Sequence, residues 1–138
     1  MIAYVDASVV MRIVLRASDS LPEWRQIDAA VSSAILAAEC FRALYRLKAF
    51  QLLTDEEFAE GVEAINKALR DIELVGVSSG VLERASGSFP SPVKTLDAIH
   101  LATAILWRER ENPDLIFATH DKQLALAARG SGFAVIGL

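Results

Sequence analysis

The chain has 138 residues, of which 53% are apolar, and its 18 acidic and 14 basic side chains give a formal charge of −4. This length fits one domain with a substantial core, and the apolar content excludes an intrinsically disordered chain. The acidic balance excludes a protein that coats DNA through general positive charge, although a local basic site is compatible with it.

Neither a membrane segment nor an export signal is expected from the sequence. No stretch reaches the roughly 18 uninterrupted apolar residues that a membrane helix needs, and Asp6 interrupts the N-terminal apolar run. A single cysteine, Cys40, cannot form an internal disulfide or a cysteine metal cluster. We therefore expect residues 1–138 to form one cytoplasmic domain with no membrane partner. The apolar surplus predicts that another chain covers part of its surface.

Short strands and helices are predicted to alternate along the first half of the chain. Apolar β-rich runs predict strands, whereas apolar residues near a 3.6-residue period predict helices. In chain order the predicted elements are strand 2–5, helix 8–16, a short helix over 21–29, strand 30–32, a helix from its cap Ser33 to about residue 50, and helix 54–70 with a capping box of Thr54 and Glu57.

The same alternation continues through the second half, where two prolines fix an irregular loop. The predicted elements are strand 72–77, helix 79–85, loop 88–93, helix 96–110 capped by Thr95, strand 115–118, helix 121–130 and strand 133–136. Strands that alternate with helices are typical of an α/β fold. We therefore predict a central, mainly parallel sheet of about five strands that is covered by helices.

Three aspartates have positions that suit a ligand site as well as helix capping. Asp6 follows the first predicted strand, Asp121 follows the fourth, and Asp97 lies in the first turn of the helix over 96–110. Parallel α/β sheets bind ligands outside the carboxyl ends of their strands. However, Asp also caps helices, and the helix dipole favours a carboxylate in the first turn. For any one of these residues alone, capping is the simpler interpretation.

Glu39 is the more informative carboxylate because it lies inside a predicted helix among Ala38, Cys40 and Phe41. An unpaired buried charge at such a position is costly. One interpretation is an ordinary ion pair with Arg42, three residues further along the helix. The alternative that we favour is a shared site of four carboxylates that needs a cation. Oxygen ligands favour Mg²⁺ or Mn²⁺ over zinc.

Four motifs occur in a fixed order along the chain. They are Asp-x-Ser at 6–8, Glu39 in the third helix, Leu-Asp-Ala-Ile-His-Leu-Ala-Thr-Ala at 96–104, and Thr-x-Asp at 119–121. Together they resemble the motifs of PIN-domain ribonucleases, and most of all those of VapC-type toxins from toxin–antitoxin pairs. The resemblance extends from Ile2 to about Ile136.

The resemblance implies a three-layer α/β/α domain that cleaves RNA endonucleolytically with Mg²⁺ or Mn²⁺ and is inhibited by a cognate antitoxin. The family's four acids correspond to Asp6, Glu39, Asp97 and Asp121, and its supporting hydroxyls to Ser8 and Thr119. Our hypothesis is that Asp6 and Asp97 bind the principal ion. Glu39 and Asp121 then complete the shell, hold a second ion or orient the attacking water.

An acidic pocket that binds RNA needs cationic side chains around it. The candidate RNA contacts are Arg12, Arg42, Arg46, Lys94 and Lys122. For each of them alone, a solvated surface charge is the simpler interpretation. Of the two histidines, His100 is predicted to be hydrogen-bonded and partly buried. His120 precedes Asp121 and is a candidate to lie near the site, although an exposed side chain without a role is the simpler expectation for a lone loop histidine.

Apolar side chains on the first helices are candidates for a groove that binds an antitoxin helix. They are Met11, Leu15, Trp24, Phe41 and Tyr45. Trp107 and its helix fit either a homodimer contact or the core, and for any aromatic residue the core is the simpler expectation.

Other classes of protein fit the sequence less well. A receiver domain needs an acceptor aspartate after the third strand, where this chain has Val77-Ser-Ser-Gly80, and a haloacid-dehalogenase-like phosphatase needs an aspartate at the position of Ser8. No glycine-rich phosphate loop is present. A catalytically silent PIN-like module that binds RNA or protein stays open as an alternative, as does DNA as the substrate.

Overall fold

The computed structural model describes residues 1–138 and contains one sheet of five strands. All four strand pairings are parallel, and the strand order is β3-β2-β1-β4-β5. This confirms the predicted parallel sheet. The strands are β1 (Ile2–Val5), β2 (Ala29–Ser33), β3 (Glu73–Val75), β4 (Ile116–Ala118) and β5 (Val135–Ile136).

Six α-helices and one short 3₁₀ helix connect these strands. The α-helices are α1 (Ala7–Val14), α2 (Leu36–Ala49), α3 (Asp55–Asp71), α4 (Ser79–Ala85), α5 (Thr95–Arg110) and α6 (Lys122–Gly130), and the 3₁₀ helix is Pro22–Gln26. The predicted capping box at the start of α3 is present, with both Thr54 and Glu57 hydrogen bonds formed. No helix has the length and apolar character to span a bilayer.

The central strand β1 shows how the three layers form. Ala3, Tyr4 and Val5 have no exposed surface, and successive side chains of a strand point to opposite faces of the sheet. Ala3 and Val5 pack in the core cluster that includes α1, α2 and α3. Tyr4 packs in the second cluster, with α5 and α6. Helices therefore cover both faces, as the predicted α/β/α arrangement requires.

Two predicted helix caps are wrong. Ser33 is the last residue of β2 and lies two residues before the N-cap of α2, where its Oγ accepts a hydrogen bond from the Ile35 amide at 3.2 Å. Thr95 is the first residue of α5, and Lys94 is the N-cap, without a side-chain capping bond. In each case the hydroxyl lies in the right region but at a different backbone position from the predicted one, because neighbouring strand and helix ends are set by tertiary contacts.

The predicted helix over 21–29 is only the 3₁₀ helix Pro22–Gln26. Ile27 is extended, and β2 begins at Ala29, which pairs with Ile2 of β1. The chain must therefore leave helical geometry early to reach the sheet, and pairing with β1 shortens the helix.

The topology brings the carboxyl ends of two strands together at one edge of the sheet. The chain leaves β1 toward β2 on one side, whereas β4 joins β1 on the other side. The carboxyl ends of these two strands are adjacent, with Val5 paired with Ala118. Parallel α/β folds bind ligands at such a switch point. The residues that follow β1 and β4 are therefore brought together here.

The glycine next to this edge has no room for a side chain. Gly137 has φ = +108°, and a Cβ added there would lie 2.4 Å from the carbonyl oxygen of Thr119. We expect Gly137→Ala to destabilise the protein by about 1–3 kcal/mol, because the strained backbone and the close contact act together. Thermal unfolding measures this, with Gly76→Ala as control, since Gly76 has open space around it. Equal melting temperatures for the two variants would contradict the prediction.

Candidate active site

Asp6 is held at the end of β1 by three hydrogen bonds. Its Oδ1 accepts from Ser8 Oγ at 2.6 Å and from the Val9 amide at 3.2 Å, and its Oδ2 accepts from Thr119 Oγ1 at 2.6 Å. The residue is the N-cap of α1 and only 4% exposed. The capping interpretation is confirmed, and it is compatible with the predicted site, because the cap fixes a buried carboxylate at the switch point.

The two predicted supporting hydroxyls connect the β1 end to the β4 end. Ser8 Oγ accepts from the His120 amide, and Thr119 Oγ1 accepts from the Asp121 amide, both at 3.0 Å. Each hydroxyl donates its own proton to Asp6. Ser8 and Thr119 thus join the loop after β4 to the carboxylate after β1. In this structure their direct partner is Asp6.

Asp121 begins α6 as its N-cap, and its Oδ1 accepts from the Leu124 amide at 2.9 Å. Unlike Asp6, Asp121 is exposed. Its carboxylate also acts on the next member of the site, Asp97, through its charge.

Asp97 is the half-buried carboxylate of the site, in the first turn of α5. Burial and the charges of Asp121, Asp6 and Glu39 together raise its pKa to about 6, while His100 acts in the opposite direction. The charges of three other carboxylates raise this pKa only if they lie near Asp97 in a region where water screens them poorly. The four predicted acids therefore interact electrostatically at Asp97, although no three of them are grouped to hold one ion directly. We call them the four-carboxylate cluster.

Glu39 joins the cluster from α2, and the ion pair with Arg42, which was the alternative interpretation, is absent. Its Oε1 instead accepts from His100 Nε2 of α5 at 2.5 Å. The Arg42 guanidinium lies over the Tyr45 ring, 5.0 Å from its centroid. Glu39 pairs across two helices because it faces the sheet edge. Burial and the charges of Glu39 and Asp6 raise the pKa of neighbouring Cys40 to about 12, so this thiol packs as a neutral, small side chain.

Comparison with known proteins agrees with this geometry. The family model of the PIN domain matches residues 3–130. The chain belongs to the PIN-domain family. It is 37% identical over 137 residues to Ribonuclease VapC46 of Mycobacterium tuberculosis (strain ATCC 25618 / H37Rv), and the match covers 96% of this chain and 95% of that protein.

Solved structures show the same PIN fold. A toxin–antitoxin complex from Klebsiella pneumoniae superposes with a TM-score of 0.64 at 18% identity, covering 97% of this chain and 95% of the other. VapBC-5 of Mycobacterium tuberculosis, a member of the VapBC family of toxin–antitoxin systems, gives a TM-score of 0.65 at 17% identity, covering 99% and 98%. At these identities the likeness concerns the fold alone.

The donor set of this PIN domain suits one kind of metal ion better than others. No three of its His, Cys, Asp and Glu side chains are grouped to hold one ion directly, so a zinc site with three or four protein ligands does not fit. Mg²⁺ keeps several of its waters and binds through one or two carboxylates. Four mutually repelling carboxylates, of which three are exposed or half-buried, fit a hydrated divalent ion.

The five candidate RNA contacts have different surroundings. Arg12 lies in the last turn of α1 and pairs with Asp19 at 3.0 Å, so its charge is already compensated. Lys94 and Lys122 are exposed and close in sequence to Asp97 and Asp121, and neither forms an ion pair. Arg46 is exposed and Arg42 stacks on Tyr45. The two lysines are therefore the best-placed cations.

Both histidines have more contacts than a surface side chain needs. His100 is 1% exposed and hydrogen-bonded at both ring nitrogens, which confirms a satisfied histidine. The simpler expectation of an exposed His120 is wrong. It is half-buried, its amide bonds Ser8, and its Nδ1 lies 2.5 Å from the Gly137 carbonyl oxygen. The sequence signal for these contacts was weak, since their partners lie 17 to 112 residues away.

The apolar residues proposed for one groove do not form one. Met11 belongs to the core, and Phe41 stacks on Tyr45. Trp24 lines a cleft of about 390 Å³ between α1 and α3, while Leu15 lines a second cleft of about 480 Å³ between α1, α2 and α3. Trp107 is 7% exposed and lies in the core, as the simpler of its two interpretations predicted.

Proposed function

We propose that this PIN-domain protein is a Mg²⁺- or Mn²⁺-dependent endoribonuclease and the toxin of a type II toxin–antitoxin pair, acting in the cytoplasm. The observation that carries the proposal is Asp97, whose pKa is raised to about 6 by burial and by the charges of three other acids. Carboxylates arranged to repel one another favour a bound cation. The 37% identity to a protein named a ribonuclease supports RNA cleavage.

The four acids have different proposed roles. Asp6 and Asp97 would hold the principal ion, and Glu39 and Asp121 would complete its shell, hold a second ion or orient water. A bound divalent ion lowers the pKa of coordinated water and offsets charge that develops on the phosphate. Asp6 is suited to its role because three hydrogen bonds fix it before any ligand arrives. Ser8 and Thr119 keep that carboxylate in place.

The charge distribution is compatible with an RNA substrate. With the four site acids set aside, 14 acidic and 14 basic side chains balance the rest of the chain. The formal charge of −4 therefore equals the charge of these four acids. We propose that Lys94 and Lys122 contact the RNA phosphates there, with Arg42 and Arg46 further along α2, since Lys and Arg supply most phosphate contacts.

The proposed partner is a cognate antitoxin, which the toxin–antitoxin assemblies among the structural neighbours support. The clefts lined by Trp24 and by Leu15 are candidates for its binding, because more than half of the residues that line each are apolar and both are lined by Val14. A homodimer stays a prediction.

A catalytically silent PIN module that binds RNA or protein is the second candidate. It is favoured by one observation, the lack of three side chains grouped to hold an ion directly. The raised pKa of Asp97 argues against it, since a module that only binds has no need to keep carboxylates that repel one another.

An RNA cleavage assay with and without divalent metal ions distinguishes the nuclease from the catalytically silent module. Total bacterial RNA is incubated with the protein in EDTA, then with excess Mg²⁺ or Mn²⁺, and fragments are resolved on a gel; matched single-stranded DNA tests the other substrate. We expect no cleavage of RNA in EDTA and full recovery with either ion. Cleavage that persists in EDTA would exclude the metal-dependent mechanism. If RNA stays intact and calorimetry detects no Mg²⁺ binding, the silent module is correct.

A further inference from the structure

His100 lies between the core and the four-carboxylate cluster, and the proposed roles of the acids do not use it. It is 1% exposed and follows Asp97 by one turn of α5. Its Nε2 lies 2.5 Å from Glu39 Oε1, and its Nδ1 lies 2.7 Å from Tyr4 Oη. One continuous line of contacts therefore joins the central strand β1, helix α5 and helix α2.

The chemistry of Tyr4, His100 and Glu39 determines which atom donates the hydrogen bond between His100 and Glu39. An ionised carboxylate only accepts hydrogen bonds, so His100 Nε2 carries the proton and donates it to Glu39. A phenol hydroxyl both donates and accepts, so Tyr4 pairs with Nδ1 whether or not that nitrogen is protonated. Burial raises the pKa of Tyr4 well above its usual value, so the hydroxyl is neutral. The imidazole is thus fixed at both ends.

The two ends of the line differ in how firmly they are held. Tyr4 is fully buried, and its ring stacks on Phe117 with centroids 5.2 Å apart. The Glu39 side chain is 19% exposed, and Oε1 is its only hydrogen-bonded oxygen. A long side chain at a partly open site has rotamer freedom unless a partner removes it. The rigid end is therefore Tyr4, and the end that needs support is Glu39.

We infer that Tyr4 and His100 are positioning residues: Tyr4 orients the His100 ring, and His100 holds Glu39 beside the three aspartates with Oε2 available. The inference deepens the proposed function and rests on it for its consequence in catalysis. Residues that orient metal-binding side chains typically change metal affinity or activity by about 10–100-fold when replaced. They do so without touching the substrate.

Three substitutions test whether Tyr4 and His100 position Glu39, with the kinetics of RNA cleavage as the readout. Tyr4→Phe keeps the stacked ring and removes only the hydroxyl, and His100→Leu removes both contacts. His100→Gln retains an N–H that reaches toward Glu39. We expect kcat to fall about 10-fold in Tyr4→Phe and about 100-fold in His100→Leu, with about 10-fold recovered in His100→Gln. The KM for RNA is expected to stay within about twofold, because neither residue contacts RNA.

Two readouts do not depend on activity. Calorimetry should show Mg²⁺ binding that is weakened about 10-fold or more in His100→Leu. In metal-free wild-type protein, NMR should detect a slowly exchanging His100 Nε2–H proton, and Tyr4→Phe should speed its exchange about tenfold. The control is Ile105→Ala, a core substitution on the same helix that lowers the melting temperature at least as much as Tyr4→Phe. It should leave Mg²⁺ affinity unchanged.

The outcomes separate this inference from the proposed function. If wild-type protein cleaves RNA and His100→Leu does so with unchanged kcat and Mg²⁺ affinity, the inference is overturned and the proposed function stands. The inference is also overturned if Ile105→Ala reproduces the loss seen in His100→Leu. If wild-type protein fails to cleave RNA, the proposed function fails, while Mg²⁺ calorimetry and proton exchange still decide whether His100 positions Glu39.

Discussion

Replacing Asp97 by asparagine is expected to lower the kcat for RNA cleavage by about 10³-fold and, at the same time, to make the metal-free protein more stable. Loss of one preorganised charge at a reacting centre costs about 10²–10³-fold, and Asp97 is also a proposed ligand of the principal ion. The gain in stability comes from the fold itself, because burial and three neighbouring acids disfavour the ionised form of Asp97.

The stability gain has a defined pH dependence. The pKa of Asp97 is raised from 3.8 to about 6 on folding. Between these values the native state binds more protons than the unfolded state, so this group makes stability fall as pH rises. Its destabilising effect is absent below about pH 4 and complete above about pH 6. Asp97→Asn should therefore melt several degrees higher than wild type at pH 7.5, with little difference near pH 4.

Thermal unfolding in EDTA at several pH values measures this, with Asp114→Asn as the matched control on the exposed loop before β4. Saturating Mg²⁺ should reduce or reverse the gain, because an ion that binds only the native wild-type protein stabilises it. A melting temperature of Asp97→Asn equal to or below that of wild type at pH 7.5 would show that the carboxylates do not repel one another there.

Asp6 should behave in the opposite way. We expect Asp6→Ala to abolish cleavage and to destabilise the protein by about 2–4 kcal/mol. The substitution removes a helix cap and leaves the Ser8 and Thr119 hydroxyls and the Val9 amide without their acceptor. Chemical denaturation measures the free energy of unfolding, and the RNA assay measures cleavage.

Asp6→Asn separates the two consequences. Its amide oxygen can still accept from Val9 and Ser8, so most of the stability should return, whereas the negative charge is absent and cleavage should stay lost. If Asp6→Asn cleaves RNA as wild type does, the proposed role of the Asp6 charge is wrong. If substitution of Asp97 stabilises the protein and substitution of Asp6 destabilises it, the fold disfavours the ionised Asp97 carboxylate, whereas the hydrogen bonds of Asp6 favour its carboxylate.

Much of the fold could be predicted because its signals are local. Apolar runs and helical periodicity predicted all five parallel strands and the order of the helices, and the capping box of Thr54 and Glu57 was confirmed. The caps Ser33 and Thr95 were misplaced and the helix over 21–29 was too long. Those ends depend on where strands pair, and strand pairing joins residues that are distant in the sequence.

The sequence by itself determined that two of the candidate acids, Asp6 and Asp121, follow strands, and the carboxyl ends of those two strands are adjacent in the sheet. Only the tertiary structure decided how each acid is held. Thr119 and Ser8 fix Asp6, and Glu39 pairs with His100, 61 residues away, rather than with Arg42 on its own helix. The physical reason is that hydrogen bonds depend on distances of about 3 Å in space, and helix packing sets those distances.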